Sequence, residues 1–86
     1  MPAFVYMVEC ADGSYYTGWT KDVEVRVAAH NKGAGSRYTR SRLPVRVVYV
    51  EELVDKQTAQ SREYRVKQLG RRQKETLVAG YKKSPQ

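Results

Sequence analysis

The chain has 86 residues, of which 41% are hydrophobic and 29% are charged, and its net charge is +7 at pH 7. A chain of this length holds one domain with a thin core, and it has no apolar run near the roughly 18 residues that a membrane helix needs. Cys10 is the only cysteine, so the sequence excludes an internal disulfide and, with one histidine, a four-ligand Cys/His zinc site. The start of the chain lacks a basic and apolar leader, and we therefore expect a cytoplasmic protein.

The positive charge is concentrated in two segments. Residues 31–46 carry five basic residues and no acid, and residues 61–86 carry eight basic residues against two acids. A segregated positive surface favours a polyanion, and nucleic acid is the commonest such partner because binding its phosphates releases condensed counterions. The alternative is a solvated surface that keeps the protein soluble.

The first predicted elements are two strands joined by a tight turn. Residues 4–10 form a run of apolar and aromatic side chains, and residues 14–20 are rich in Tyr, Thr and Trp, as strands are. Asp12-Gly13 between them is a typical hairpin signal. The segment is therefore predicted to be a β-hairpin.

The length of the turn decides which side chains of the hairpin share a face. A two-residue turn would leave Tyr6 and Tyr16 on opposite faces, because side chains alternate along a strand. A three-residue loop that ends in a left-handed Gly13 would instead pair Tyr6 with Gly18, and Val8 with Tyr16. We predict the second register, in which both phenols share one face.

A helix is predicted next, over residues 21–31, with Thr20 or Asp22 as its cap. Arg26 and His30 are one turn apart on this helix. They are therefore expected to project from the same side of it.

The rest of the chain is predicted to contain a basic loop, a third strand, two helices and a short tail. A β-branched run after Pro44 marks the strand, and Gly70 separates the helices. The order β-β-α-β-α-α predicts an α/β fold with a small three-stranded antiparallel sheet flanked by helices, as one domain over 1–80. The predicted ranges are 32–43 for the loop, 45–50 for the strand, 56–69 and 71–79 for the helices, and 81–86 for a frayed tail.

Five positions between residue 4 and about residue 79 give the chain a resemblance to a known family. They are Tyr6 in Phe4-Val5-Tyr6, Tyr16 in Tyr16-Thr17-Gly18, Arg26, His30 and Glu63. In this order they resemble the signature of the GIY-YIG nucleases, and the chain is similar to the small stand-alone bacterial members. Two departures from the pattern are Phe4, where the family name has glycine, and the lack of an asparagine beyond Glu63, where many members have one.

The resemblance implies a role for each of the five residues. Tyr6 would be the general base for an attacking water, with Tyr16 in support, and Arg26 would clamp the phosphate. An ordinary phenol has a pKa of about 10, so this mechanism needs a positive charge, such as that of Arg26, to lower it. His30 would orient a tyrosine or share a proton with it. Glu63 would bind a single Mg²⁺ or Mn²⁺ ion.

Glu63 also has an interpretation that needs no metal. It is predicted to lie on the flank of the apolar stripe of helix 56–69, where a carboxylate needs a partner. A salt bridge to Arg62 or Arg26 would satisfy it. A magnesium ion would suit a single carboxylate as well, because Mg²⁺ keeps most of its waters.

A further set of residues is predicted to contact nucleic acid. The basic loop mixes charge, hydroxyls and an aromatic ring, which is a composition that contacts phosphates and stacks a splayed base. Each of these predictions has an alternative. The loop could be only a flexible connection, Arg71 and Arg72 could be only a solvated helix start, and Gly18 could only leave room for a neighbouring ring. The residues are Gly18, Arg37, Tyr38, Thr39, Arg40, Arg42, Arg71 and Arg72.

Three classes of function remain from the sequence. The first is a magnesium-dependent DNA endonuclease in repair or recombination that selects branched or single-stranded structures rather than a sequence. The second is a module on the same fold that binds DNA or RNA without cutting it. The third is an RNA-binding or protein-interaction domain unrelated to cleavage. Oligomeric state is left open by the sequence.

Overall fold

A three-stranded antiparallel sheet forms the centre of the fold. The computed structural model describes residues 1–83. The strands are β1 (Ala3–Glu9), β2 (Tyr15–Thr20) and β3 (Arg46–Leu53), in the spatial order β2-β1-β3. β1 is thus the central strand, and both of its faces are covered by helices.

Four helices surround the sheet: α1 (Val23–Asn31), α2 (Arg37–Arg40), α3 (Lys56–Lys67) and α4 (Arg71–Lys83). The predicted fold, with its long elements in the order β-β-α-β-α-α, is confirmed. The short helix α2 is an addition, since it lies within the segment that was predicted to be a loop.

The hairpin has the register that was predicted for a three-residue loop. Gly13 has a φ of +85°, which is the left-handed conformation that favours glycine. Tyr6 pairs with Gly18, and Val8 pairs with Tyr16. Both phenols therefore lie on one face of the sheet.

The two faces of the sheet carry separate apolar clusters. On one face Val5 and Met7 pack against α3 and α4, which contribute Val66 and Val78. On the other face the cluster contains Tyr6 and Val8, and α1 and the segment before β3 cover it. The partners of the second cluster are Cys10, Tyr16, Val23, Val27, Leu43, Val45, Val47 and Val50.

Both ends of α1 are closed by specific backbone contacts. The Asp22 carboxylate accepts a hydrogen bond from the backbone N–H of Val25 at 3.1 Å, so Asp22 is the cap and the helix begins two residues later than predicted. At the other end Gly33 is left-handed, with a φ of +85°, and the Ala34 N–H bonds back to the Ala29 carbonyl. The chain therefore turns back at Gly33, and Ala34 lies beside the last turn of α1.

The C-terminal helix runs further than predicted. α4 continues through Lys83, and the ring of Tyr81 packs edge-on against Tyr49 with centroids 5.9 Å apart. The prediction of a frayed tail from Tyr81 is therefore wrong for 81–83, and its remainder, 84–86, lies outside the described residues. Within residues 1–83 no helix combines the length and the hydropathy that crossing a membrane requires.

Candidate active site

A hydrogen bond between Tyr6 and His30 forms the centre of the candidate site. The distance from Tyr6 Oη to His30 Nε2 is 2.8 Å, and both residues have no exposed surface. Tyr6 lies on the central strand and His30 lies in the last turn of α1. The bond therefore joins the sheet to the helix that covers this face.

The second phenol, Tyr16, lies beside this pair and is only partly buried. Its ring meets the His30 ring edge-on at 5.2 Å between centroids, and it is 6.5 Å from the ring of Tyr6. Tyr16 is thus the phenol that faces solvent, whereas Tyr6 is enclosed.

Two glycines leave room for the buried pair. A Cβ at Gly18 would lie 2.7 Å from Tyr6 Oη, and a Cβ at Gly35 would lie 2.7 Å from the Cα of His30. Real Cβ atoms do not approach other atoms this closely. Gly18 is itself buried, so its predicted role as a nucleic-acid contact is wrong, and the alternative of room for a neighbouring ring is the correct one.

Arg26 lies over the same group of side chains. Its Nη2 donates to the Gly35 carbonyl at 3.2 Å, while its Nε is buried and has no hydrogen-bond partner among the described residues. The guanidinium also acts on the ionisation of both Tyr6 and His30. Arg26 and His30 therefore project from the same side of α1, as predicted.

The protonation of the central pair differs from the expected one. Burial raises the pKa of Tyr6 above its ordinary value, and the nearby Arg26 opposes this shift without reversing it. Burial, followed by the charge of Arg26, lowers the pKa of His30. Arg26 does lower the Tyr6 pKa, as predicted, but the net shift is upward because desolvation outweighs the positive charge. At pH 7 the pair consists of a neutral phenol and a neutral imidazole.

Glu63 approaches the site from α3, and its ion-pair partner is Lys67, at 3.3 Å along the same helix. Arg62 pairs instead with Glu51 at 2.9 Å, so the predicted alternative of a Glu63–arginine bridge is wrong. The charge of Glu63 contributes to the raised pKa of Tyr6, a weaker effect than that of Arg26. Glu63 thus lies near the phenol, but it forms no hydrogen bond or ion pair with the other four signature residues.

The side chains near the Tyr6 phenol suit only a metal ion that needs a single protein ligand. Within the part of the chain that the structure describes, no three His, Cys, Asp or Glu side chains are grouped to hold a metal. The Glu63 carboxylate is 19% exposed and can exchange its lysine partner for a cation. A single carboxylate fits Mg²⁺, which keeps several waters and takes the remaining oxygens from a substrate phosphate.

Thr39 lies behind the imidazole and not on the surface. Its Oγ1 is 2.8 Å from His30 Nδ1, and Thr39 has no exposed surface. Ser36 caps α2 and holds Thr39 by accepting from its backbone N–H at 3.1 Å. The predicted contact between Thr39 and nucleic acid is therefore wrong. No feature of the sequence indicates this role, since a threonine in a basic segment resembles any other residue with a hydroxyl group.

Tyr38 and Arg42 are occupied by contacts within the protein. The Arg42 guanidinium lies 3.9 Å from the centre of the Tyr38 ring and forms an ion pair with Asp12 at 3.1 Å. The Tyr38 ring in turn stacks on Tyr16, with centroids 6.1 Å apart. The ring face that Arg42 covers is not open to a splayed base, and Arg42 joins the basic segment to the hairpin turn.

Arg71 fastens α4 to the hairpin. It donates to the Gly13 carbonyl at 2.9 Å, lies 3.9 Å from the centre of the Tyr15 ring and pairs with Glu75. The alternative of a simply solvated helix start therefore does not describe this arginine, whose side chain is 50% exposed. Three exposed arginines of the predicted set make no ion pair with any of residues 1–83: Arg37, Arg40 and Arg72.

Comparison with known proteins gives a family match and solved structures of the same fold. Residues 2–76 match the model of the GIY-YIG catalytic domain. The chain is 56% identical over 73 residues to a UPF0213 protein of Halobacterium salinarum, which covers 85% of this chain and 95% of that protein. A solution NMR structure of a UPF0213 protein from Bacillus halodurans has a TM-score of 0.59 and 48% identity, and covers 92% of this chain and 84% of that one. A solution NMR structure of a protein from E. faecalis has a TM-score of 0.64 and 32% identity, and covers 100% and 92% of the two chains.

Proposed function

Because the chain belongs to the GIY-YIG catalytic-domain family, we propose that it is a divalent-metal-dependent endonuclease that hydrolyses DNA phosphodiester bonds. Proteins with this domain are generally endonucleases. The observation that supports the proposal most strongly is the bond between Tyr6 and His30, with Tyr16 and Arg26 beside it. A buried phenol that shares its proton with a neutral imidazole is an arrangement for moving a proton, and a simple DNA-binding surface has no need of it.

Two proton transfers accompany the attack of the water, one from the water to Tyr6 and one from Tyr6 to His30. As the water oxygen forms its bond to phosphorus, Tyr6 Oη takes the water proton and gives its own proton to His30 Nε2. The bond between phosphorus and the 3′ oxygen breaks, and that oxygen leaves with the bonding electrons. Because the phenol gains and loses a proton in the same step, it acts as a base without a lowered pKa. The neutral form of His30, which burial favours, is the form that accepts the proton.

Arg26 controls access to the phenol. Tyr6 has no exposed surface, and the Arg26 guanidinium lies close enough to lower its pKa. A phosphate attracts the guanidinium, whose planar fork offers parallel donors to two phosphate oxygens, and the buried Nε has no partner to give up. Movement of Arg26 toward the phosphate would admit the water to Tyr6 as the substrate binds.

Glu63 is the residue that would hold the metal. When bound, Mg²⁺ would neutralise charge that develops on the phosphate and on the leaving oxygen. Glu63 would exchange its ion pair with Lys67 for the metal as the substrate arrives. With one protein ligand, metal binding before that point is weak.

The substrate is proposed to be branched or single-stranded DNA, cut in one strand at a time. Arg37, Arg40 and Arg72 are exposed and offer charge to phosphates, which carry no sequence information. One active site acts on one strand. Structure-selective nicking of this kind suits DNA repair or recombination in the cytoplasm.

A non-cleaving nucleic-acid binder is the second candidate, and one observation favours it. Asn31 is the only asparagine of the chain, and its side chain bonds to both backbone groups of Val45, at 2.8 and 3.0 Å. It therefore does not replace the asparagine that many family members carry. Against this candidate, the carboxylate of Glu63 would repel phosphate at a surface that only binds.

A nicking assay on supercoiled plasmid separates the two candidates. The purified protein, Glu63→Gln and a matched control, Glu75→Gln, are compared in magnesium and in EDTA. Glu75 forms an ion pair four residues from its partner, as Glu63 does, but on α4. We expect magnesium-dependent nicking that is lost only in Glu63→Gln. Salt-sensitive binding without cleavage by any of the three proteins would instead establish the binder.

Branched and single-stranded oligonucleotides test the proposed substrate. Cleavage sites that follow the position of a junction or a single-stranded segment, whatever its sequence, are the expected result. A map with one recognition sequence, cut equally in plain duplexes, would contradict structure selectivity.

A further inference from the structure

The imidazole of His30 is held at both nitrogens by buried hydroxyl groups. Nε2 lies 2.8 Å from Tyr6 Oη, and Nδ1 lies 2.8 Å from Thr39 Oγ1. None of the three residues has exposed surface. In a neutral imidazole one nitrogen donates and the other accepts, and the partner of one nitrogen decides where the proton resides.

The hydrogen bonds around the ring favour one position of the proton. If Nε2 carried the proton, the hydrogen of the Tyr6 hydroxyl would need another acceptor. The nearby Arg26 has only donors, and the carboxylate of Glu63 acts on Tyr6 through its charge without a hydrogen bond to it. If Nδ1 carries the proton, the Tyr6 hydroxyl donates to Nε2 and its oxygen is free to accept from Arg26. The Thr39 oxygen then accepts from Nδ1 and donates its own hydrogen to Ser36, whose Oγ is 2.9 Å away and whose carbonyl is 3.4 Å away. The side-chain polar hydrogens of Tyr6, His30 and Thr39 then each have an acceptor.

We propose that Thr39 is a positioning residue that keeps His30 in the tautomer with the proton on Nδ1, so that Nε2 accepts the proton of Tyr6. This inference rests on the proposed nuclease function for its catalytic meaning, but the tautomer is a property of the folded protein alone. The short helix α2 serves as the frame, because its cap Ser36 bonds to both the backbone and the hydroxyl of Thr39.

The matched pair of variants is Thr39→Val and Thr39→Ser. Valine has nearly the same shape as threonine but no hydroxyl, so it leaves Nδ1 without an acceptor. Serine keeps the hydroxyl and loses only a methyl group. A residue that merely fills space would tolerate valine better than serine, whereas the positioning role predicts the opposite order.

The tautomer can be measured directly because His30 is the only histidine. A long-range ¹H–¹⁵N correlation spectrum of the ¹⁵N-labelled wild-type protein distinguishes a protonated ring nitrogen from an unprotonated one. We expect the proton on Nδ1 in the wild type and in Thr39→Ser, and a shift toward Nε2 in Thr39→Val. A wild-type spectrum with the proton on Nε2 overturns the proposal even if a variant fails to fold. An unchanged tautomer in folded Thr39→Val also overturns it.

Nicking kinetics test the catalytic part separately. With an active wild type, Thr39→Val is expected to lower kcat by about 10- to 100-fold, a part of the roughly 10²- to 10⁴-fold that a positioned base contributes, with little change in KM. Thr39→Ser should restore most of the rate. An unchanged kcat in Thr39→Val would overturn a role of the tautomer in catalysis. A wild type without nicking would refute the proposed function, and the spectrum would still decide whether Thr39 positions the ring.

Discussion

Gly18 lies directly against the Tyr6 ring, and Gly18→Ala tests whether the packing there positions Tyr6. A Cβ at this residue would lie 2.7 Å from Tyr6 Oη and 2.8 Å from Cζ of the same ring. The obstacle is the fixed ring of a buried tyrosine, not the flexible end of a surface side chain. The phenol must therefore leave the position in which it bonds to His30.

The size of the effect follows from these distances. Ordinary contact begins at 3.4 Å, so an oxygen now at 2.7 Å has to retreat by about 0.7 Å. Overpacking of this kind costs about 1–3 kcal/mol of the free energy of unfolding. In a domain of this size each kcal/mol lowers Tm by about 4–8 °C. Displacement of a reacting group by about 1 Å can reduce the rate about 100-fold.

The assay compares thermal unfolding and plasmid nicking of the wild type and Gly18→Ala, with Gly80→Ala as the control. A Cβ at Gly80 meets nothing within 4 Å, and alanine in a helix is favoured over glycine by about 0.5–1 kcal/mol. We expect the control to be at least as stable as the wild type and equally active. A Gly18→Ala protein with wild-type Tm and wild-type nicking would refute the reasoning that Gly18 exists to admit the phenol.

Three further predictions concern ionisation and helix capping. The pKa of His30 in the folded protein lies below that of an unfolded histidine, which is near 6.5, so the unfolded chain takes up a proton first as the pH falls. Urea titrations should therefore give a lower free energy of unfolding at about pH 5.5 than at about pH 7.5. Equal free energies at the two pH values would contradict the burial argument. Because burial raises the pKa of Tyr6, Tyr6→Phe should remove absorbance change from the high-pH end of an ultraviolet titration of the phenols, and a loss at the low-pH end instead would count against the burial argument. Asp55 caps α3 by accepting from the Thr58 N–H at 2.8 Å, so Asp55→Ala should lower the free energy of unfolding by about 0.5–2 kcal/mol in urea, whereas Asp55→Asn should retain most of it.

The fold and the central residues of the site could be predicted from local patterns. The position of Gly13 set the length of the hairpin loop, and the two-residue repeat of a strand then placed Tyr6 and Tyr16 on one face. The spacing of Arg26 and His30 likewise placed them on one side of α1. These relations involve neighbours in the chain, where backbone geometry leaves few alternatives.

The partners of the charged side chains could not be predicted in this way. Arg42 reaches Asp12 and Arg71 reaches the carbonyl of Gly13, contacts that join segments 30 and 58 residues apart. The composition of these segments shows that they are basic, but it does not indicate which residue each arginine contacts. Glu63 illustrates the same limit, since its ion-pair partner is Lys67 on its own helix and not Arg62 or Arg26.

The sequence by itself determined the order of the elements, the register of the hairpin and the five signature positions, because these depend on periodicity, turn chemistry and order along the chain. Only the tertiary structure decided the direction of the Tyr6 pKa shift and the inward orientation of Thr39. The physical reason is that both depend on burial. Removal of water from a phenol or a hydroxyl results from the packing of α1 and α2 on the sheet, and no spacing of residues along the chain records it.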